Sequence, residues 1–210
     1  MNKENIGLCE LYLGDCFEIL DQMKDETIEA CLTDPPYLKA NIPFYEMLAR
    51  RLKRLLVIGG SFVAITPHYA LPEILSEVGK HLKYRWMINM NQMDGQHPRM
   101  AMGIEVTWKP ITWWVNQKWP HGRGFVKDGF INEPVEKKLH KWQQSLSWSD
   151  YCVKKFIYSL APVLDPFMGS GTMAISCIRR GQPFIGIEND KKSFDLACER
   201  IKEEYEREAW

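Results

Sequence analysis

A strand, a glycine-rich loop and a helix follow one another in the last third of the sequence, and this unit constrains the fold more than any other feature. The run APVLD (161–165) is apolar and strand-like, PFMGSGT (166–172) is the loop, and MAISCIRR (173–180) predicts a helix. PFIGIE (183–188) then predicts a second, parallel strand that ends at Glu188. A strand–helix–strand unit of this kind is typical of an α/β fold with a parallel sheet.

The residues of the loop indicate the kind of ligand that the unit binds. Gly169 and Gly171 allow the backbone to turn sharply and to approach a ligand closely, and Thr172 is predicted as the helix N-cap. Glu188 lies 17 residues beyond Gly171, close to where an acidic group binds ribose hydroxyls in dinucleotide folds. Ala174 replaces the third glycine of the dinucleotide fingerprint, and no lysine follows the glycines as in a P-loop. The loop therefore favours a ligand with an adenosyl ribose and no phosphate, and its alternative is a purely structural turn.

A second motif, Asp34-Pro35-Pro36-Tyr37, follows the apolar run IEACLT (28–33), which predicts a buried strand. The prolines lack N–H groups and hold φ near about −65°, so the carbonyls around Pro35 have no competing backbone donors. Asp34 and a neighbouring carbonyl can then accept hydrogen bonds from a planar amine, and they stabilise positive charge that develops on its nitrogen. The pattern indicates chemistry on the exocyclic amine of adenine or cytosine, with Tyr37 stacked on the base; the alternative is a strand ending in a capped turn.

Together these residues resemble the S-adenosylmethionine-dependent DNA amino-methyltransferases, with DPPY as the catalytic motif and DPFMGSGT as the cofactor loop. The DPPY half comes first, which is the order of the family's β group. Gly14-Asp15-Cys16 is similar to the short GD motif of that group. His140 stands where the group has an HPxxKP-like segment, although Gln144 and Ser145 replace its Lys-Pro pair.

The resemblance implies a doubly wound, mainly parallel Rossmann-like α/β methyltransferase sheet that is circularly permuted. It also implies methyl transfer from S-adenosylmethionine to the N6 amine of adenine in double-stranded DNA, with the target nucleotide flipped into the site. DPPY, as opposed to SPPY, favours adenine N6 over cytosine N4. No metal site is implied. The residues implied in catalysis are Asp34, Pro35, Pro36 and Tyr37, and those implied in cofactor binding are Asp15, Cys16, His140, Asp165, Phe167, Gly169, Ser170, Gly171, Thr172 and Glu188.

Other functions use parts of the same pattern and stay open at this point. They are an N4-cytosine DNA methyltransferase, an RNA or protein amino-methyltransferase, a non-catalytic DNA-binding module and an NAD-dependent oxidoreductase. The motif order and a basic middle segment argue against an RNA or protein substrate. The missing third glycine argues against the oxidoreductase.

The formal net charge of zero is an average over unlike segments. Residues 1–48 have a balance of −7, residues 49–160 of +9 and residues 161–210 of −2. The basic middle segment can face DNA phosphates, which makes binding depend on salt. Arg99 and Arg123 lie there in segments rich in turn residues and are the predicted DNA contacts.

Length and composition predict a single methyltransferase domain over residues 1–210, with a small target-recognition insertion at 91–139. So small an insertion suggests a homodimer on DNA. The six cysteines are scattered without a C-x-x-C pair and are expected to be reduced thiols. Neither a signal peptide nor an apolar stretch near the ~20 residues of a membrane span is evident, so a cytoplasmic protein without a membrane partner is expected.

Overall fold

A computed structural model of the protein describes residues 2–92, 99–100, 102–118, 124–132 and 146–208. His140 and Arg123, both predicted contact residues, lie outside these ranges. The strands are β1 Asn2–Ile6, β2 Cys9–Leu13, β3 Ile28–Thr33, β4 Leu56–Ile65, β5 Lys83–Gln92, β6 Arg99–Met100, β7 Ile104–Glu105, β8 Trp108–Val115, β9 Gly129–Asn132, β10 Val163–Asp165 and β11 Phe184–Glu188. The helices are α1 Cys16–Asp21, α2 Pro43–Leu55, α3 Leu71–Val78, α4 Leu146–Phe156, α5 Thr172–Ile178 and α6 Lys191–Glu208, with single 3₁₀ turns at Lys39–Asn41 and His68–Ala70.

Within the described ranges, nine strands form one sheet in the order β1-β2-β11-β10-β3-β4-β8-β5-β9. Neighbouring strands from β2 to β4 run parallel to each other. β8 runs antiparallel to both of its neighbours, and β1 is antiparallel to β2 at one edge. The mainly parallel α/β sheet predicted from the sequence is therefore confirmed.

Helices cover both faces of this sheet. Alternate residues of β4 point to opposite sides, so that Val63 and Ile65 enter one hydrophobic core and Phe62 and Ala64 enter the other. Helices α4, α5 and α6 complete the first core, and α1, α2 and α3 complete the second. This is the doubly wound arrangement. None of the described helices combines the length and hydropathy of a membrane span.

The early strands lie beside the late elements of the chain. β2 pairs with β11 along its whole length, and the Leu8 amide donates a hydrogen bond to the Tyr205 hydroxyl of α6 (2.7 Å). β2 thus continues the sheet where a further strand after α6 would otherwise stand. The predicted circular permutation requires this adjacency.

Pro110 lies in a strand of the sheet interior, because β8 lies between β4 and β5. Pro110 of β8 is opposite Thr66, the first residue after β4, and its carbonyl accepts a hydrogen bond from the Thr66 amide (2.9 Å). Its missing N–H therefore removes at most one bond at the end of a ladder. β8 falls inside residues 91–139, so part of the predicted recognition segment belongs to the central sheet.

Candidate active site

The two sequence motifs meet at one edge of the sheet. β3 and β10 are adjacent and parallel, with Ala30 opposite Val163 and Cys31 opposite Leu164. The residues that follow both strands therefore emerge side by side. The Thr33 hydroxyl donates a hydrogen bond to Asp165 Oδ1 across the two strand ends (2.7 Å), with both side chains buried. The DPPY segment and the glycine loop thus border the same site.

The DPPY segment is held by hydrogen bonds between side chains and backbone. The Tyr37 hydroxyl donates to Asp34 Oδ1, and the Tyr69 hydroxyl donates to the Tyr37 carbonyl. Pro35 is buried and Asp34 is half-buried. The Tyr37 side chain remains 36 % exposed, which leaves part of it accessible for stacking.

Burial shapes the charge of both carboxyl groups at this edge. It raises the pKa of Asp34, while the positive charge of Lys109 and the hydrogen bond from Tyr37 act in the opposite direction. Burial also raises the pKa of Asp165 to about 7, although the bonds from the Thr33 hydroxyl and the Phe167 amide (3.1 Å) favour the carboxylate. Carboxyl groups with raised pKa values in a cleft are typical of functional sites.

A stability test follows from the raised pKa of Asp165. Its folded pKa lies above its unfolded value, so the protonated form stabilises the fold at low pH, and this contribution is lost as pH rises from about 4 to about 7. We expect the free energy of unfolding to fall with pH more steeply in the wild type than in Asp165→Asn, with a difference in slope of up to ~1.4 kcal/mol per pH unit. Urea unfolding across this range measures both slopes, and equal slopes would contradict the assignment.

The glycine loop has the backbone that its sequence predicts. Gly169 and Gly171 have φ of +55° and +79°, in the left-handed region that favours glycine. A Cβ at Gly171 would lie 3.3 Å from the Cβ of Ala197 in α6, so the loop also packs closely on that helix. The prediction of Thr172 as the N-cap is wrong: Gly171 is the N-cap and Thr172 is the first residue of α5, buried against the core.

Glu188 joins the loop to the end of β11. Its Oε2 accepts a hydrogen bond from the Gly169 amide (2.8 Å), and its Oε1 accepts from the amides of Asn189 (2.9 Å) and Asp190 (2.8 Å). A carboxylate has about four acceptor positions, so most are already used. Glu188 therefore fixes the loop as well as lining the site.

Asp15 lies at the end of β2, beside Glu188. The Gly14 amide donates to the Glu188 carbonyl (2.9 Å), and Asp15 caps α1 by accepting from the amides of Phe17 (2.8 Å) and Glu18 (3.1 Å). Burial raises the pKa of the Cys16 thiol, so Cys16 is an unreactive side chain in the core. The structure thus brings the Gly-Asp motif to the same edge and gives Asp15 a capping role.

Two aromatic rings line the space between the loop and α2. Phe167 stacks on Phe44 with ring centroids 6.0 Å apart and an interplanar angle of 6°. Phe44 in turn contacts Phe17 edge to face at 5.2 Å. Phe167 is half-buried, so it packs against the second core and keeps an accessible surface.

Ser170 is tied to α6 by Arg200. One guanidinium nitrogen of Arg200, Nη1, donates to the Ser170 hydroxyl (2.8 Å) and also to the Ser170 carbonyl. No sequence motif marks Arg200, although its position three residues after the buried Ala197 places it on the core-facing side of α6. Ser170 is predicted to contact the cofactor, and in the structure its hydroxyl accepts a hydrogen bond from α6.

Replacing Arg200 by methionine is expected to weaken cofactor binding about 10-fold, because hydrogen bonds to a charged group hold the loop in place. The maximal rate at saturating cofactor should change less than about twofold, since the acceptor motif is untouched. Calorimetric titration with S-adenosylmethionine measures the first effect. Arg207→Met is the matched control, because Arg207 on the same helix bonds Glu204 instead of the loop; equal losses in both variants would contradict the role of Arg200.

A cavity of about 480 Å³ opens beside the DPPY segment. Its walls are mainly apolar, which is typical of small-ligand sites. Tyr37, Tyr69, Trp108 and Lys109 line it, together with Met100, Met102 and Ile104. Arg99, a predicted DNA contact, lies next to this wall on β6, where it is exposed and pairs with Glu105 (3.3 Å).

The chain belongs to the N6_N4_Mtase family of DNA methylases, whose model matches residues 80–199. The protein is therefore a DNA amino-methyltransferase, and the resemblance seen in its motifs is confirmed. This family depends on S-adenosylmethionine, which confirms the predicted cofactor, and membership implies double-stranded DNA as the substrate.

Individual relatives resemble the chain over most of its length. The Type II methyltransferase M.ScaI of Streptomyces caespitosus is 21% identical over 92% of this chain and 81% of its own. M.HinfI of Haemophilus influenzae is 24% identical over 97% of this chain and 71% of its own. The crystal structure of the M1.HpyAVI-SAM complex has a TM-score of 0.76 at 23% identity, covering 92% and 98%. The cytosine-N4-specific PvuII DNA methyltransferase has a TM-score of 0.77 at 15% identity, and the match covers 98% of this chain and 96% of that protein's chain.

Proposed function

We propose that the protein methylates the N6 amine of adenine in double-stranded DNA. The observation that carries this proposal is the adjacency of β3 and β10, linked by the Thr33–Asp165 hydrogen bond (2.7 Å), because it brings the acceptor motif to the cofactor loop. The aspartate of DPPY supports adenine, since the motif resembles that of the adenine-N6 group more than the SPPY of the cytosine-N4 group. The similarity to PvuII makes N4 of cytosine the second candidate.

The residues at the glycine loop fit S-adenosylmethionine. Gly169 leaves room beside the loop backbone, because a Cβ there would meet only the Phe167 carbonyl oxygen, at 4.0 Å. The buried Asp165 would offer an acceptor for the cofactor's amino group. Glu188 would accept a hydrogen bond from a ribose hydroxyl with the same carboxylate that binds the Gly169 amide. Asp15 would contact the region of the cofactor's adenine ring. His140 is proposed, on resemblance alone, as a further contact to the cofactor.

When bound, S-adenosylmethionine supplies a methyl group on a sulfonium, whose departure as a neutral thioether favours transfer. Asp34 and the Pro35 carbonyl accept hydrogen bonds from the target amine and orient its nitrogen toward the glycine loop. Both acceptors also stabilise the positive charge that develops on that nitrogen. With its raised pKa, Asp34 then takes the proton that the methylated nitrogen releases.

Tyr37 and the cavity beside it are proposed to receive the flipped base. The target amine is inaccessible inside a duplex, and flipping costs a few kcal/mol for unstacking. Stacking of the base on Tyr37 offsets part of this cost, because base–aromatic stacking contributes about 1–3 kcal/mol. To donate a hydrogen bond to Asp34, the base amine displaces the Tyr37 hydroxyl from that carboxylate.

A homodimer on DNA is proposed as the acting form, with residues 91–139 as the recognition segment of each copy. Because the recognition segment is short, a second copy would extend the contact with DNA. Light scattering of the protein, free and with DNA, tests this. A monomer under both conditions would contradict it.

Incubation with methyl-labelled S-adenosylmethionine and mixed-sequence DNA tests the proposed reaction. After digestion to nucleosides, labelled N6-methyldeoxyadenosine is the expected product. If N4-methyldeoxycytidine forms instead, the target is N4 of cytosine and not N6 of adenine. RNA and protein serve as parallel acceptors, and transfer to either of them in place of DNA would contradict it.

A further inference from the structure

Lys109 lies in the wall of the ~480 Å³ cavity, on the side of Tyr37. Its Nζ is 5.6 Å from the centroid of the Tyr37 ring, within the range of a cation–π contact. Its positive charge also acts on the Asp34 carboxyl, opposing the effect of burial. Among the described residues, Lys109 forms no ion pair with a carboxylate. A cation thus lies beside the acceptor motif in the space proposed for the base.

The backbone of Lys109 is held by pairing with β5. Lys109 is opposite Met90 of β5, and the next residue, Pro110, accepts from the Thr66 amide (2.9 Å). Groups placed on strands are positioned more accurately than groups on loops. The flexible part is therefore only the side chain, whose ammonium carries three donors and no acceptor.

The Asp34 carboxylate, an acceptor, and the Lys109 ammonium, a donor, together match one edge of adenine and of cytosine. Adenine presents its N6 amine next to the N1 acceptor, and cytosine presents its N4 amine next to the N3 acceptor. Guanine and thymine present the reverse, a carbonyl oxygen next to an N–H. A base whose amine donates to Asp34 therefore has a ring acceptor beside that amine, on the edge by which flipped bases are read.

We propose that Lys109 Nζ donates a hydrogen bond to the ring nitrogen next to the target amine, which is N1 when the base is adenine. Lys109 is then a specificity-determining residue. With Asp34 it accepts adenine or cytosine and rejects guanine and thymine, which would set a donor against Lys109 and an acceptor against Asp34. This inference rests on the proposed function, because it requires a base in the cavity.

The test combines a change in the enzyme with a change in one atom of the substrate. Wild type and Lys109→Met are compared on duplexes that carry adenine or 1-deazaadenine, in which CH replaces N1, at the methylated position. Either change alone should lower kcat/KM about 10- to 100-fold, as expected for one hydrogen bond to a charged group. Both changes together should lower it no further than one alone, because they remove the same bond.

Multiplicative losses would overturn the inference, since they would mean that Lys109 acts on Asp34 or on the DNA backbone and not on N1. Lys109→Arg keeps the donor and the charge, so it should retain sensitivity to 1-deazaadenine. Lys118→Met, at an exposed lysine that follows β8, controls for lost charge and should leave that sensitivity unchanged. Absence of any methylation by the wild type would instead overturn the proposed function, and this inference with it. If cytosine is the product base, 3-deazacytosine takes the place of 1-deazaadenine.

Discussion

Replacing Asp34 by alanine is expected to lower the rate of methyl transfer about 10³-fold, which is the upper range measured when one preorganised electrostatic group is removed from an active site. Asp34 follows β3 directly and is half-buried, so its carboxylate would meet the target amine with less competing water than on an open surface. Single-turnover transfer of labelled methyl groups measures the effect on chemistry alone.

Cofactor binding should survive this substitution, because the glycine loop makes no hydrogen bond to Asp34 within the described residues. Asp34→Asn keeps one acceptor oxygen and should lose less activity than Asp34→Ala. A variant Asp34→Ala that transfers methyl groups within tenfold of the wild-type rate would show that the amine is oriented elsewhere. That outcome would remove the catalytic role given to DPPY.

Replacing Gly171 by valine is expected to lower kcat/KM about 100-fold through a displaced cofactor loop. Gly171 has φ of +79°, where a side chain costs about 1–2 kcal/mol, and more when it is β-branched. A Cβ there would also lie 3.3 Å from Ala197 Cβ and 3.4 Å from Ile201 Cδ1. Both effects push the loop away from α6 and out of the position that holds the cofactor.

Gly181→Val is the matched control for this prediction. Gly181 has φ of +61°, so it has similar backbone strain, but a Cβ there would meet no atom within 4 Å. It follows α5 at the end remote from the loop. Both variants should lose stability, whereas only Gly171→Val should lose affinity for S-adenosylmethionine by calorimetry. Equal affinities in the two variants would contradict the role of the loop.

The meeting of the two motifs could be predicted from the sequence because it depends on short-range patterns. The apolar run IEACLT is followed by Asp34-Pro35, and the run APVL is followed by Asp165-Pro166. Parallel strands bring their carboxyl ends to one edge of the sheet. The glycines in the sequence indicate the turn, because a left-handed backbone conformation is unfavourable for most other residues. The roles proposed for Asp34 and Gly169 follow from their positions in these motifs.

The partners contributed by distant elements could not be predicted in the same way. Lys109 and Arg200 carry no local motif, and each reaches the site only because its element packs beside it. The position of β8 between β4 and β5 also depends on tertiary pairing, which overrode the edge preference of Pro110. Thr172 was misplaced as the N-cap because Gly171 takes that position with a left-handed backbone.

The most direct test of a shared pocket uses a bisubstrate analogue, in which S-adenosylhomocysteine is joined through its sulfur position to N6 of adenine or to N4 of cytosine. One of these two compounds should bind the wild type more tightly than S-adenosylhomocysteine does. Its affinity should fall in both Asp34→Ala and Gly171→Val, because the two halves occupy the ends of β3 and β10 together. An affinity that responds to only one of these substitutions would contradict a site in which the methyl donor and the base amine meet.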